Sequence, residues 1–257
     1  MARANRYFLR GYIWHLTHRC HKKERLLKFA RDRRAWMHWL FQAKKRYGLK
    51  ILNFNVTCNH IHLLVLDSRS SLTIARSLQL AAGRTAQEYN IRKDRKGAFW
   101  EDRYHATAVE SGDHLRRCLA YIDLNMVRAG RVAHPLRWVQ SGYYELHRAP
   151  RRRDLVDYSA LLREIGIGSL AELKDLRKAW VEGKIALGEN VREPHWTESI
   201  AVGSREFLDE IKERQGTKTW RREIANIDGS DTLQLRDSGP KGNYCAFKGK
   251  KAAIRRK

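Results

Sequence analysis

Cysteine and proline are scarce in this chain, with four of each in 257 residues. Cys20, Cys58, Cys118 and Cys245 form no CxxC pair, which argues against a zinc ribbon and against a disulfide framework and leaves reduced, mostly buried thiols. No run of about 18 apolar residues occurs, so no transmembrane helix is expected. Arg3, Arg6 and Arg10 precede no apolar stretch with a small-residue cleavage site, so no secretory signal is read and a cytoplasmic protein is expected. Acidic residues are also few. Against 28 Asp+Glu stand 52 Lys+Arg, a net charge of +24. A self-repelling charge of that size calls for a polyanionic partner, of which nucleic acid is the commonest. With 42% hydrophobic residues and eight Trp, the chain has enough apolar material for a core, in one large domain or two small ones.

The charge is unevenly placed. Residues 1–153 hold 32 Lys+Arg and 11 Asp+Glu, net +21; residues 154–240 hold 13 and 17, net −4; residues 241–257 hold 7 and none. This divides the chain into a basic domain over 1–150, a mainly helical accessory region over 151–240 and a basic flexible tail over 241–257. The run RAPRRR (148–153) reads as a linker or a solvated charged stretch.

Within the basic domain the hydrophobic period switches repeatedly. Residues 11–19 alternate as a strand, 22–48 have apolar residues at helical spacing up to Gly48, and 49–67 give two strands around a turn at Thr57, Cys58 and Asn59. Residues 71–92 are helical, 99–111 strand-like, and Asp113 starts a helix that Gly130 closes. The order βαββαβ plus a helix predicts an α+β fold, a ferredoxin-like antiparallel sheet with helices on one face. Beyond residue 154 three amphipathic segments, DYSALLREIG, SLAELKDLRKAWVEGK and SREFLDEIKERQ, predict short helices, with turn chemistry at 227–231 and 237–243.

Chemistry concentrates in NHIHLLV (59–65). Side chains two apart on a strand share a face, so His60 and His62 present two imidazoles at a spacing that suits a divalent metal; a merely polar sheet face is the competing reading. In LAYIDLNMVRAG (119–130), Tyr121 and Asn125 are four residues apart and share a helix face. A phenol becomes a nucleophile when a cation and a positive field favour the phenolate, as a metal on two histidines would; otherwise Tyr121 is a half-buried anchor. His15, His18, Cys20 and His21 invite a zinc reading, but alternation sends His15 and His18 to opposite faces and places His15 with Thr17. His105 can approach the site or serve the sheet surface.

Together NHIHLLV, FWEDRYHATAVES and YIDLNMVRAGRV resemble the single-tyrosine HUH transposases, most closely the REP-associated tyrosine transposases, over about residues 6–145. Cys58 and Met126 stand where many relatives have Pro. The resemblance implies a bacterial, nucleoid-associated DNA transposase and single-strand endonuclease that cleaves and rejoins hairpin-flanked ends. It implies Tyr121 as the nucleophile forming a 5′-phosphotyrosine, and a divalent cofactor, Mg²⁺ or Mn²⁺, on His60, His62 and Asn125. Relatives include homodimers that pair a tyrosine helix with a neighbour's histidines, and monomers that act in cis.

Arg92, Lys93, Arg95 and Lys96 around the KDRKG loop, with Arg103 and Arg128, are candidate phosphate contacts to single-stranded or hairpin DNA; an ordinary solvated loop is the bland alternative. Trp100 and Tyr104 are candidates for base stacking, although core packing suits Trp100 better. A catalytically silent nucleic-acid-binding protein on the same fold is the second hypothesis. The Lys/Arg-Gly-aromatic signature of RNA-recognition modules is absent.

Overall fold

The first helix begins later than its apolar spacing predicts, and the backbone shows why. Lys22 and Lys23 both take left-handed conformations, φ 50° and 60°, which no helix can propagate. The helix therefore runs only over Ala30–Tyr47 (α1). Lys44, Lys45 and Arg46 face the negative end of its dipole, and Gly48 closes it at φ 69°. This computed structural model describes residues 8–67, 70, 72–189, 191–216, 222–227 and 232–237. The tail at 241–257, with Cys245, and the turn residues 228–231 and 238–243 lie outside them.

Four strands form the centre: β1 (Ile13–Arg19), β2 (Lys50–Val56), β3 (His60–Leu66) and β4 (His105–Val109), with α2 (Thr73–Arg92) between β3 and β4. Their order, β2-β3-β1-β4, is the ferredoxin-like arrangement, antiparallel throughout. β4 is shorter than the strand expected over 99–111; Trp100 makes only an isolated bridge to Cys20. The β1–β3 register sets Thr17 opposite His62, and the β1–β4 register sets it opposite His105. Paired residues of an antiparallel ladder point to the same side, so His15, Thr17, His60, His62, His105 and Thr107 share one face.

The other face carries Leu16, His18, Ile61 and Leu63 toward α1 and α2, whose Trp36, Leu40, Leu78 and Ala81 are buried in the main core. Trp100 stacks on His18 at 4.1 Å and donates its indole N–H to Ala82 of α2 at 3.0 Å, the packing role expected of it. The histidine-bearing face is covered by α3 (Asp113–Asp123) and the short α4 (Asn125–Arg128). These were expected as one helix from Asp113 to Gly130. Leu124, at ψ 0°, interrupts it, and Asp113 makes no side-chain cap because Gly112 occupies that position.

β2 is irregular at the point that matters for α3. Lys50 pairs with Leu66 and Ile51 with Val65, but Leu64 is met by Asn53, so Leu52 is bulged out. One extra residue turns Asn53 and Asn55 to the α3 side, where they donate to the Asp123 carboxylate and the Ile122 carbonyl, each at 2.9 Å.

Beyond α4 come α5 (Gly142–His147), α6 (Tyr158–Ile165), α7 (Leu170–Ala186), α8 (His195–Glu198) and α9 (Arg205–Gln215); α6, α7 and α9 are the three helices expected, and the short α5 and α8 were not. Asp157, Ser169 and Ser204 cap α6, α7 and α9 by accepting from the backbone N–H three residues on. The C-terminal part also supplies three strands that helical periodicity did not announce, β5 (Ala201–Gly203), β6 (Arg222–Asn226) and β7 (Leu233–Asp237). β5 pairs parallel to β4, so one seven-stranded sheet, β2-β3-β1-β4-β5-β7-β6, runs through both parts of the chain. The RAPRRR stretch is tied down at its end: Arg148 pairs with Asp154, Val156 bridges Ile51, and Asp157 N–H donates to the Ile51 carbonyl.

Candidate active site

On the α3 side of the sheet a cleft of about 810 Å³ opens, lined by His60, His62, His105, Tyr121, Asn125 and four arginines, Arg19, Arg103, Arg128 and Arg192. β3 delivers the two histidines, as alternation requires. His60 Nε2 lies 3.1 Å from His62 Nε2, and Asn125 Nδ2 lies 2.9 Å from the same His62 atom. Asn125 reaches this point although the helix break puts it in α4. Two donors each about 2.1 Å from one octahedral ion stand about 3 Å apart, so these two separations would suit a shared divalent ion, with a half-turn of the Asn125 amide to present its oxygen.

The protonation of His60 is fixed by its neighbours. Thr57 Oγ1 spends its one proton on the His60 carbonyl at 2.7 Å, so toward His60 Nδ1, 3.0 Å away, it can only accept. Asn59 Oδ1, at 2.8 Å from the same Nδ1, accepts as well. The proton of neutral His60 is therefore on Nδ1, and Nε2 offers a lone pair to the point shared with His62 and Asn125. Burial, with Arg19 and Arg128 nearby, lowers the His60 pKa to about 4, and burial beside His60 and His15 holds His62 well below its ordinary value. Both imidazoles are neutral at pH 7, the form that ligates a cation.

Tyr121 is only 4% exposed, its ring centroid 6.0 Å from that of His62 and 6.4 Å from that of Trp196. The Arg128 guanidinium lies over its ring at 4.1 Å and donates to the Tyr121 carbonyl at 3.1 Å. Burial raises the phenol pKa, and Arg128 offsets only part of the rise.

The candidate phosphate contacts separate into two groups. Arg103 and Arg128 line the cleft. Arg92, Lys93, Arg95 and Lys96 sit at the end of α2 and do not line it. Among these, Arg92 pairs with buried Asp32, Lys93 lies 5.9 Å from the Phe29 ring centroid, and Arg95 donates to the Ala98 carbonyl at 2.9 Å. Tyr104 packs against Phe8 and His18.

Sequence reasoning missed a group that supports the site from the C-terminal part. Arg177 of α7, 0% exposed, holds Asp123 with Nη2 at 2.6 Å from both carboxylate oxygens, anchoring the tyrosine helix. The Ser199 carbonyl accepts from His105 Nε2 at 2.9 Å and from Thr107 Oγ1 at 2.7 Å. Arg192, Thr197 and Glu198 form a wall of the cleft. Main-chain acceptors leave no mark in a sequence, and Arg177 sits in a segment whose only pattern is helical.

The sheet thus presents a histidine pair and a helix tyrosine in an arginine-lined cleft. Residues 9–125 match the family model described as Transposase IS200 like. Among solved structures, a REP-associated tyrosine transposase bound to a REP hairpin is 21% identical, with TM-score 0.46, covering 62% of this chain and 96% of that one. A candidate transposase from Deinococcus radiodurans is 14% identical, with TM-score 0.33, covering 50% and 97%. No curated protein matches.

Proposed function

We propose that this transposase cleaves and rejoins single-stranded DNA at hairpin-flanked ends, with Tyr121 as nucleophile. One observation carries the reading. His60 Nε2 lies 3.1 Å and the Asn125 amide nitrogen 2.9 Å from His62 Nε2, beside Tyr121 in an arginine-lined cleft. These three residues fit a divalent ion, Mg²⁺ or Mn²⁺, which when bound polarises the scissile phosphate and offsets charge developing on its oxygens. Two neutral imidazoles and an amide leave room for oxygen ligands from the DNA.

Arg103 and Arg128 hold the phosphate in the cleft. The Tyr121 hydroxyl oxygen bonds to phosphorus, the bond to the 3′ oxygen breaks, and the phenol proton is balanced by the one the departing 3′-OH takes up. Because burial keeps Tyr121 a phenol, this proton leaves as the bond forms rather than beforehand. The 5′-phosphotyrosine conserves the phosphodiester energy, and attack by a 3′-OH reverses the step to join strands. Tyr121 packs against the histidines of its own chain, which supports action in cis. The basic residues at the end of α2, Arg92, Lys93, Arg95 and Lys96, extend the DNA path beyond the cleft.

The test is incubation with labelled single-stranded hairpin oligonucleotides and Mn²⁺, followed by a denaturing gel. A covalent adduct that Tyr121→Phe abolishes is expected. Binding without adduct across a broad panel of ends would favour the catalytically silent DNA-binding reading.

A further inference from the structure

His60 and His62 reach the same point, but only His60 is oriented by residues next to it in the chain. His62 Nδ1 lies 2.9 Å from His15 Nε2, and His15 Nδ1 lies 2.8 Å from the Trp196 carbonyl oxygen. The two imidazoles are stacked with an interplanar angle of 17°, and His15 is 0% exposed. A carbonyl can only accept, so the Nδ1 of His15 carries its proton. The second nitrogen of a neutral His15 then has a lone pair, and His62 Nδ1 must donate to it. On its other side His62 Nε2 faces the Asn125 amide at 2.9 Å. The chain from the Trp196 carbonyl through His15 thus gives the assignment.

We propose that His15, backed by the main-chain carbonyl of Trp196, is a positioning residue that locks His62 in the Nδ1–H tautomer and turns the Nε2 lone pair into the cleft. The consequence for metal affinity rests on the reading of His62 as a ligand; the tautomer itself does not. Trp196 lies in α8, outside residues 9–125, so a segment beyond the family match determines how the histidine pair presents itself. Trp196 is in turn fixed: its side chain is 1% exposed and its indole N–H donates to Glu193 at 2.7 Å. A partner on the distal nitrogen of a metal-binding histidine raises its basicity and holds its ring, and loss of such a partner costs about 10–100-fold in affinity.

The experiment uses the full chain labelled with ¹⁵N-histidine and free of metal, with His62→Gln to assign the His62 signals. Long-range ¹H–¹⁵N spectra should show the Nδ1–H tautomer at His62 in the wild type. An Nε2–H tautomer there would overturn the proposal without any further variant. His15→Phe removes the acceptor, and the His62 tautomer should become mixed while Mn²⁺ binding by calorimetry weakens about 10–100-fold. His15→Gln restores an acceptor oxygen and should stay within a few-fold of the wild type. Unchanged Mn²⁺ affinity and an unchanged His62 tautomer in His15→Phe would overturn the proposal. If His15→Phe fails to fold by circular dichroism, the wild-type spectrum and His15→Gln still decide. A wild type that binds no Mn²⁺ but keeps His62 as Nδ1–H would bear out the tautomer lock and overturn only the metal reading.

Discussion

The two ends of the sheet contribute to the cleft in different currencies. Strand β3, the loop before β4, α3 and α4 present side chains: His60, His62, Arg103, Tyr121, Asn125 and Arg128. The C-terminal part, with α7, α8 and β5, mainly holds those side chains in place, through the Trp196 and Ser199 carbonyls and the buried Arg177. The difference teaches where information sits. A presenting group must have a particular side chain at a particular spacing, whereas a supporting carbonyl needs only the right backbone position.

Substitutions in the two parts should therefore fail in different ways. Tyr121→Phe should lower adduct formation by more than about 1,000-fold while leaving the thermal midpoint nearly unchanged, because one hydroxyl at the cleft wall is removed and the ring stays packed. A comparable loss of stability would show the tyrosine to be chiefly an anchor. Arg177→Met should do the reverse. Stranding Asp123 in the core costs about 3–5 kcal/mol in urea unfolding, and adding Asp123→Asn should recover much of it. If the single variant is as stable as the wild type, the ion pair does not anchor the tyrosine helix.

Glu193 tests the support by pH. Burial works against its ionisation, but hydrogen bonds from His195 and Trp196, with Lys184, outweigh it and hold the pKa down at about 2. The folded value lies below the unfolded one, so this carboxylate's contribution is complete above about pH 4.5 and is lost as pH falls toward about 2. Its side chain is 23% exposed, so the contribution is about 1–2 kcal/mol after solvent screening. The stability difference between wild type and Glu193→Gln should shrink over that window and be constant above it. A difference independent of pH would remove Glu193 as the anchor of α8.

Local support for His60 should weigh less than the nucleophile. Thr57→Val should weaken Mn²⁺ binding about tenfold, since Asn59 still accepts from Nδ1. Smallest of all is the effect of single phosphate contacts. Arg103→Ala and Lys96→Ala should each reduce the slope of log affinity against log salt by about 0.7 for a single strand. A change for Arg103→Ala alone would confine the strand to the cleft and leave the α2 end out of the DNA path.

Much of the site was legible because its parts obey short-range rules. Alternation put His60 and His62 on one face, and the four-residue spacing brought Tyr121 and Asn125 near each other even though Leu124 breaks the helix between them. The start of α1 was not legible, because consecutive left-handed lysines overrode a good apolar period. Neither was the Leu52 bulge, which alone decides that Asn53 and Asn55 face α3. β5, only three residues long, joins β4 by parallel pairing over a separation of about 90 residues, a range at which a sequence pattern carries no pairing information.

By itself, then, the sequence determined the ferredoxin-like order, the basic character of the first 153 residues and the identity of the metal-donor and nucleophile candidates. These follow from periodicity, charge and residue chemistry, all of which act within a few residues. The tertiary structure alone decided that the acidic C-terminal part continues the same sheet and stands behind the histidines. It does so with carbonyls and one buried arginine, groups whose function exists only once distant segments have been packed together.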